Sequence, residues 1–289
     1  MGYVKSVARW LAWPVLFFGF GGAIVMAGGR DSGVIVMLTI LAAALGYCFL
    51  LERLIPYQPD WNRSQGDIGR DVLHALVNLT LNRASLWLLP VFAILALGGG
   101  VWPHQWPYLL QVLMAVLILD AGIAMAHHAS HRFSWLWRFH AVHHSPGRLY
   151  GLNGLMKHPV HQSIEVGAGV LPLLLLGIPF NVAIILPFLA SIALLCQHMN
   201  ADIRTGPLRY LFANAEVHRF HHRRHGEGDI NFGLFTNLYD HVAGTFHYRS
   251  GEAPRGSHEL GLRGREDYPK AYLVQLLEPF RSDRRRREP

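Results

Sequence analysis

PYLLQVLMAVLILDAGIAMAHHASHRFSWLWRFHAVHHS, residues 107–145, runs from an apolar stretch straight into a cluster of histidines. From Pro107 to Ala126 it carries a single charge, Asp120. About 20 apolar residues cross a bilayer as a helix, so this stretch reads as a membrane span. Beyond it come His127 and His131, four apart, then His140, His143 and His144. Positions i, i+3 and i+4 share one helix face, so each cluster points its imidazoles at one place. Trp135, Leu136, Phe139 and Val142 supply the apolar face between them.

Further along, His198 follows another apolar run, and EVHRFHH at 216–222 adds His218, His221 and His222. A lone histidine near a membrane interface is usually a packing or hydrogen-bonding residue, and a single HxxxH pair arises by chance in a chain with eighteen histidines. Two HxxHH clusters and a HxxxH pair, each just beyond an apolar run, are different. Converging neutral imidazoles leave donors and acceptors unsatisfied unless a cation takes them. Imidazole suits zinc, copper, iron and nickel, so ligand type does not fix the metal. Zinc usually takes four ligands, and this set exceeds one such site; it matches two metals with positions open to O2 or substrate. His128, His161, His225, His241 and His247 fall off these spacings and read as partners, loop or solvated residues.

The rest of the chain is consistent with a membrane protein. Hydrophobic residues make up 51% and charged residues 16%, where a soluble domain has about a quarter charged. Apolar runs cover Trp10 to Ala27, Val34 to Leu51 and, shorter and holding Pro90, Leu86 to Leu97. The last spans only if the polar stretch Leu76 to Ser85 continues its helix. The first, behind Lys5 and Arg9, lacks a small-residue cleavage site and is expected to be retained. A fifth run, Val166 to Cys196, is broken by Pro172, Pro179 and Pro187, with Gly177 and Asn181 beside the middle proline. As one helix it would be roughly 45 Å long against a core of about 30 Å, so it reads as a hairpin of two short helices that enters the membrane and returns.

Charge bias sets the sides. Lys5, Arg9, Arg53, Arg63, Arg70 and Arg83 flank alternate spans, the 28–33 loop has only Arg30, and the 98–106 loop has neither Lys nor Arg. The positive-inside rule then places residues 127–165 and 198–289, with the histidines, in the cytoplasm. The net charge of +7 and the closing Arg284 to Arg287 suit anionic lipid better than nucleic acid, which is not expected as a partner. Cys48 and Cys196 form no CxxC pair or disulfide framework, against secretion and thiolate metal sites.

These residues resemble the fatty acid hydroxylase/sterol desaturase superfamily. Asp120 lies seven before His127, LWRFHAVHHS (136–145) is similar to the second histidine box and VHRFHH (217–222) to the third. HMN (198–200), NFG (231–233) and LYDHVAGTFH (238–247) are similar to its closing segments, so the likeness covers roughly 115–250. The resemblance implies a di-iron oxygenase with ligands His127, His131, His140, His143, His144, His198, His218, His221 and His222, and with His158, in KHPV, as a tenth. Zinc is a possible substitute in preparations. Members with a HxxxH before the last box would place its first histidine at Leu194, so either His158 substitutes or one metal has a more open shell. Asp120, Asn231 and Asp240 are expected to support the ligands or cap helices.

The fold expected is all-α, an integral membrane bundle of about four spans plus the hairpin, under a cytoplasmic helical cap. The expected division is membrane helices in 1–106, a catalytic domain in 107–250 including the hairpin 166–196, and a basic tail in 251–289. The expected activity is O2-dependent hydroxylation of a lipid, whether fatty acyl, sterol, ether lipid or aminolipid, in a bacterial inner membrane or its equivalent. A desaturase on the same scaffold is the alternative. A metal transporter or sensor is disfavoured because its ligands belong at mid-membrane. No haem motif, iron–sulfur cysteine set or Rossmann fingerprint is present, so electrons are expected from a separate ferredoxin or flavoprotein reductase.

Overall fold

The computed structural model describes residues 2–30, 33–84, 100–224 and 228–281. Among them five helices are long and apolar enough to cross a membrane. These are α1 (Gly2–Gly29), α2 (Val34–Leu54), α4 (Tyr108–Arg132), α6 (Pro159–Leu176) and α7 (Phe180–His198). Between them lie α3 (Ile68–Ala84) and α5 (Ser134–His144), followed by α8 (Ala215–His221), α9 (Leu238–Ala243) and α10 (Tyr272–Leu277). The described residues contain isolated β-bridges and no strand. The chain is an all-α, multi-pass membrane protein. The expected third span, Leu86 to Leu97, lies outside the described residues, as do His225 and Arg284 to Arg287.

Each long helix follows from its composition. In α4, 25 residues rise about 37 Å, enough to cross the bilayer and carry His127 and His131 beyond its core. Leu109, Leu113, Leu117 and Met125 face outward, as lipid-facing residues should, while Ala115, Leu119 and Ala124 pack inward. Pro14 lies within α1, and a π-helical stretch, Val15–Phe20, follows it; a proline removes one backbone donor and distorts the ladder.

The fifth apolar run is two helices, joined through Gly177 in the left-handed conformation (φ 82°). Its arms are longer than expected, 18 and 19 residues. The first begins at Pro159 rather than Val166 because His161, Gln162 and Glu165, which interrupt the run in sequence, are buried against neighbouring helices. Both arms end on the histidine side: His161 Nε2 meets Ser130 Oγ at 3.0 Å, and His198 Nε2 meets His143 Nε2 at 3.3 Å. Gly177 lies at the far end against Gly100, whose Cβ would come within 2.2 Å of the Leu176 carbonyl oxygen.

Backbones also meet where α4 crosses α6. A Cβ on Gly122 would lie 2.3 Å from the Ala168 carbonyl oxygen, and one on Gly169 2.6 Å from Leu119 Cδ1. Small residues at such a crossing let apolar helices associate in lipid. The segment expected as a tail is partly built into the fold: Leu262 and Tyr268 pack on Ala141, Val142 and Met156.

The crossing gives a direct test. Gly122→Ala should destabilise the protein by about 1–3 kcal/mol, whereas Gly46→Ala, which meets nothing within 4 Å, should not. Thermal unfolding of the two variants in one detergent checks this.

Candidate metal centre

The two HxxHH boxes sit on short helices that divide their histidines in opposite ways. On α5, His140 and His144 share a face and His143 points aside; beyond α7, His218 and His222 pair across the last turn of α8 and His221 points aside. The result is two groups. His127, His131, His140, His144 and His221 form one, and His143, His198, His218 and His222 the other. Within each, one ring nitrogen per residue lies within 4.8 Å of all the others, and every residue is buried.

What fixes the rings is the other nitrogen. His127 Nδ1 donates to the Phe232 carbonyl at 3.2 Å, His143 Nδ1 to Met156 at 3.1 Å, His198 Nδ1 to Leu194 at 2.9 Å and His221 Nδ1 to Ile230 at 2.8 Å. His131 Nδ1 meets Asp229 Oδ1 at 2.9 Å. A carbonyl only accepts, so Nδ1 holds the proton and Nε2 presents a lone pair to the centre. There the Nε2 atoms face one another: His127 and His140 at 3.1 Å, and His198 with both His218 and His222 at 3.2 Å. His131 Nε2 and His221 Nε2 are buried without a hydrogen-bond partner. Lone pairs gathered in this way fit metal cations.

Burial and neighbouring imidazoles hold His140, His143, His144, His218 and His222 well below the usual histidine pKa. Burial likewise brings His221 down to about 4. These rings are neutral at physiological pH, the form that binds metal.

Two carboxylates hold the loop that supplies the Ile230 and Phe232 carbonyls. Asp120 accepts from the backbone N–H groups of Leu234, Phe235 and Thr236 at 2.8–3.0 Å. Asp240 accepts from Phe232 at 2.8 Å and Gly233 at 2.9 Å. Asn231, at φ 58°, bonds the Val217 and His247 carbonyls. Arg219 donates to the Met199 and Ala201 carbonyls and lies over the Tyr57 ring, tying α8 to the end of α7.

The structure brings nine of the ten sequence-expected histidines together. It does not bring His158, which is the N-cap of α6: its Nδ1 accepts from Val160 N at 3.1 Å and its Nε2 meets the Leu276 carbonyl at 3.1 Å. The group that would have used a histidine at Leu194 therefore has four imidazoles. His161 was missed. Its ring centroid lies 4.3 Å from that of His140, and its Nδ1 faces Glu165, itself paired with Lys157. The signal was there: His161 stands three residues past His158 on the first turn of a helix. His128 meets the Tyr239 hydroxyl at 2.8 Å and His241 the Tyr210 carbonyl at 2.6 Å, both outside the two groups.

Membrane helices carrying two buried histidine groups at one end fit a membrane protein with a metal site. Residues 112–245 match the fatty acid hydroxylase family model. An ornithine lipid hydroxylase of Rhizobium tropici is 33% identical over 93% of this chain and 83% of its own length. A beta-carotene hydroxylase of Pseudescherichia vulneris is 34% identical over 43% of this chain and 74% of its own. No solved structure matches significantly. The chain belongs to the fatty acid hydroxylase family and is a membrane lipid hydroxylase with a site fit for metal.

His221→Ala should lower bound metal and cut turnover at least about 100-fold. His158→Ala should keep its metal and cost about 1 kcal/mol as a lost cap. Metal analysis and thermal unfolding separate the two.

A pH dependence also follows. The unfolded chain takes up protons near pH 6.5 that the folded rings refuse. Metal-free protein should therefore lose stability as pH falls from about 6.5 to about 4, at about 1.4 kcal/mol per pH unit per affected histidine, and change little from these groups above that window. Unfolding across pH after metal removal measures it.

Proposed function

We propose that the nine histidines hold two iron ions, five on one and four on the other, and that the protein hydroxylates an aminolipid of the ornithine-lipid kind with O2. The observation that carries this reading is the inward turn of Nε2 in both groups, enforced by acceptors at Nδ1 of His127, His131, His143, His198 and His221. The substrate class is supported by the ornithine lipid hydroxylase, which aligns along 93% of the chain.

Iron bound there would supply the activation of O2. The residues of the chain do the rest. Phe232, Met156, Leu194 and Ile230 fix the imidazoles through their carbonyls. Each of the nine rings is buried. A narrow apolar cleft between α4, α6 and α7 runs from Ile178 and Ala183 to Gln162, Glu165 and Lys157, beside His161, a path suited to an alkyl chain. Electrons come from a separate ferredoxin or flavoprotein reductase, a reading supported by a sequence with only two cysteines, too few to hold an iron–sulfur cluster of its own. The arginine bias of the loops supports an active site on the cytoplasmic side of a bacterial inner membrane or its equivalent.

Lipid mass spectrometry tests this reading. Cells expressing the protein, and the iron-loaded enzyme with a reduced donor under isotopically labelled O2, should add one labelled oxygen to an aminolipid. Loss of two hydrogens without oxygen would make it a desaturase instead. Iron analysis should find about two per chain.

A further inference from the structure

A second cavity, of about 440 Å3, opens onto the histidines between α5, residues 221–224 and 228–229, and the C-terminal strap 261–279. Its floor holds His131, His144 and His221, all from the five-histidine group and none from the other. Its walls are basic: Arg138, Arg223, Arg224, Arg263 and Arg265 against Asp229 and Glu278. Several of these charges are already used. Arg265 pairs with Glu278, Arg224 with Glu266, and Asp229 with His131. Arg138 and Arg263 are exposed and have no acidic partner among the described residues.

Exposed apolar side chains flank the mouth, next to the end of the span α4. Phe133, which caps α4, and Trp135, in the first turn of α5, are 55% and 57% exposed, and Leu277 and Phe280, flanking the lining residues Glu278 and Pro279, are 60% and 66% exposed. Aromatic side chains at a span's end mark the headgroup zone. A cavity of this size suits a small-molecule moiety, and guanidinium groups recognise carboxylate and phosphate by paired hydrogen bonds.

We infer that this cavity binds the anionic part of the substrate lipid's headgroup, a carboxylate or phosphate, with Arg138 and Arg263 as its charge partners. The inference rests on the lipid-hydroxylase reading above and deepens it. A headgroup held here sets the carbons next to it, rather than those of mid-chain, beside His131, His144 and His221.

Binding and turnover, measured separately on the full-length, metal-loaded protein in neutral maltoside micelles, test it. The probes are an N-acyl amino-acid lipid with a free carboxylate and its methyl ester. Wild type should bind the free acid about tenfold tighter than the ester. Arg138→Gln and Arg263→Gln should each weaken free-acid binding about tenfold, leaving ester binding, metal content and melting temperature unchanged. Equal binding of acid and ester by wild type, or variants that weaken both alike, would overturn the proposal. Inorganic phosphate is the free-anion control: if both variants lose phosphate binding while free-acid lipid binding stays as in wild type, the cavity serves a soluble anion and the proposal falls. Binding is read without turnover, so a protein that prefers the free acid yet oxidises neither lipid would contradict the hydroxylase reading and leave the headgroup site standing.

Discussion

The structure depends on nine clustered imidazoles, five of them with Nδ1 tied to an acceptor outside the cluster. A buried imidazole can turn either nitrogen inward, and nine free rings would settle into a network of mutual hydrogen bonds. Acceptors at Nδ1 of His127, His131, His143, His198 and His221 remove that freedom. The remaining nitrogens become lone pairs aimed at one another, an arrangement that is costly without a cation. Burial adds to the same end by keeping the rings neutral. The fold is therefore built to be completed by metal, and its helices are the means of holding the acceptors still.

This requirement explains where the site sits. Three of the acceptors, Met156, Ile230 and Phe232, are carbonyls of non-helical backbone. Irregular backbone exposed to lipid would leave polar groups unsatisfied, so such carbonyls are available only beyond the hydrocarbon core. The spans accordingly deliver histidines at their ends, in the last turns of α4 and α7. Asp120 reaches from within α4 to meet three backbone N–H groups of the 234–236 segment. Through that contact a membrane helix and a surface loop share one register, and the loop's Phe232 carbonyl returns to the ring of His127 on the same helix.

Much of this was legible in the sequence because helical periodicity alone groups the boxes. The 3.6-residue repeat says that His140 and His144 share a face and that His218 and His222 do too. It does not say to which metal each face turns, since that depends on how α5 and α8 meet in space. The error at His158 has the same origin. A histidine before proline reads equally as a ligand or as a helix cap, and the choice was made by the C-terminal strap, whose Leu276 carbonyl takes its second nitrogen. His161 falls off the box spacings, which left open whether it was a partner, loop or solvated residue; α6 lies directly against α4 and brings it to His140 as a partner. The hairpin was visible from Pro179 and Gly177, but its length was not. Polar residues that pack against a buried site look, in one dimension, like the end of a membrane helix.

The asymmetry between the two histidine groups gives the site a direction. The group of four draws on α5, α7 and α8, with the Leu194 carbonyl tied to His198 Nδ1 and the Met156 carbonyl to His143 Nδ1. The group of five borders the arginine-walled cavity through His131, His144 and His221. The apolar cleft approaches from the other quarter, ending at Lys157 and Glu165 beside His161 and not at the ligand atoms themselves. A lipid has one polar and one apolar end, and the protein meets the histidine layer with one cavity of each kind. Of the two, only the polar one is lined by the candidate ligands. A molecule entering by its headgroup would reach the metal first with the atoms nearest that headgroup. The division of five and four, set by how two short helices turn their HxxHH boxes, then bears on which part of a lipid is oxidised as well as on how the metal is held.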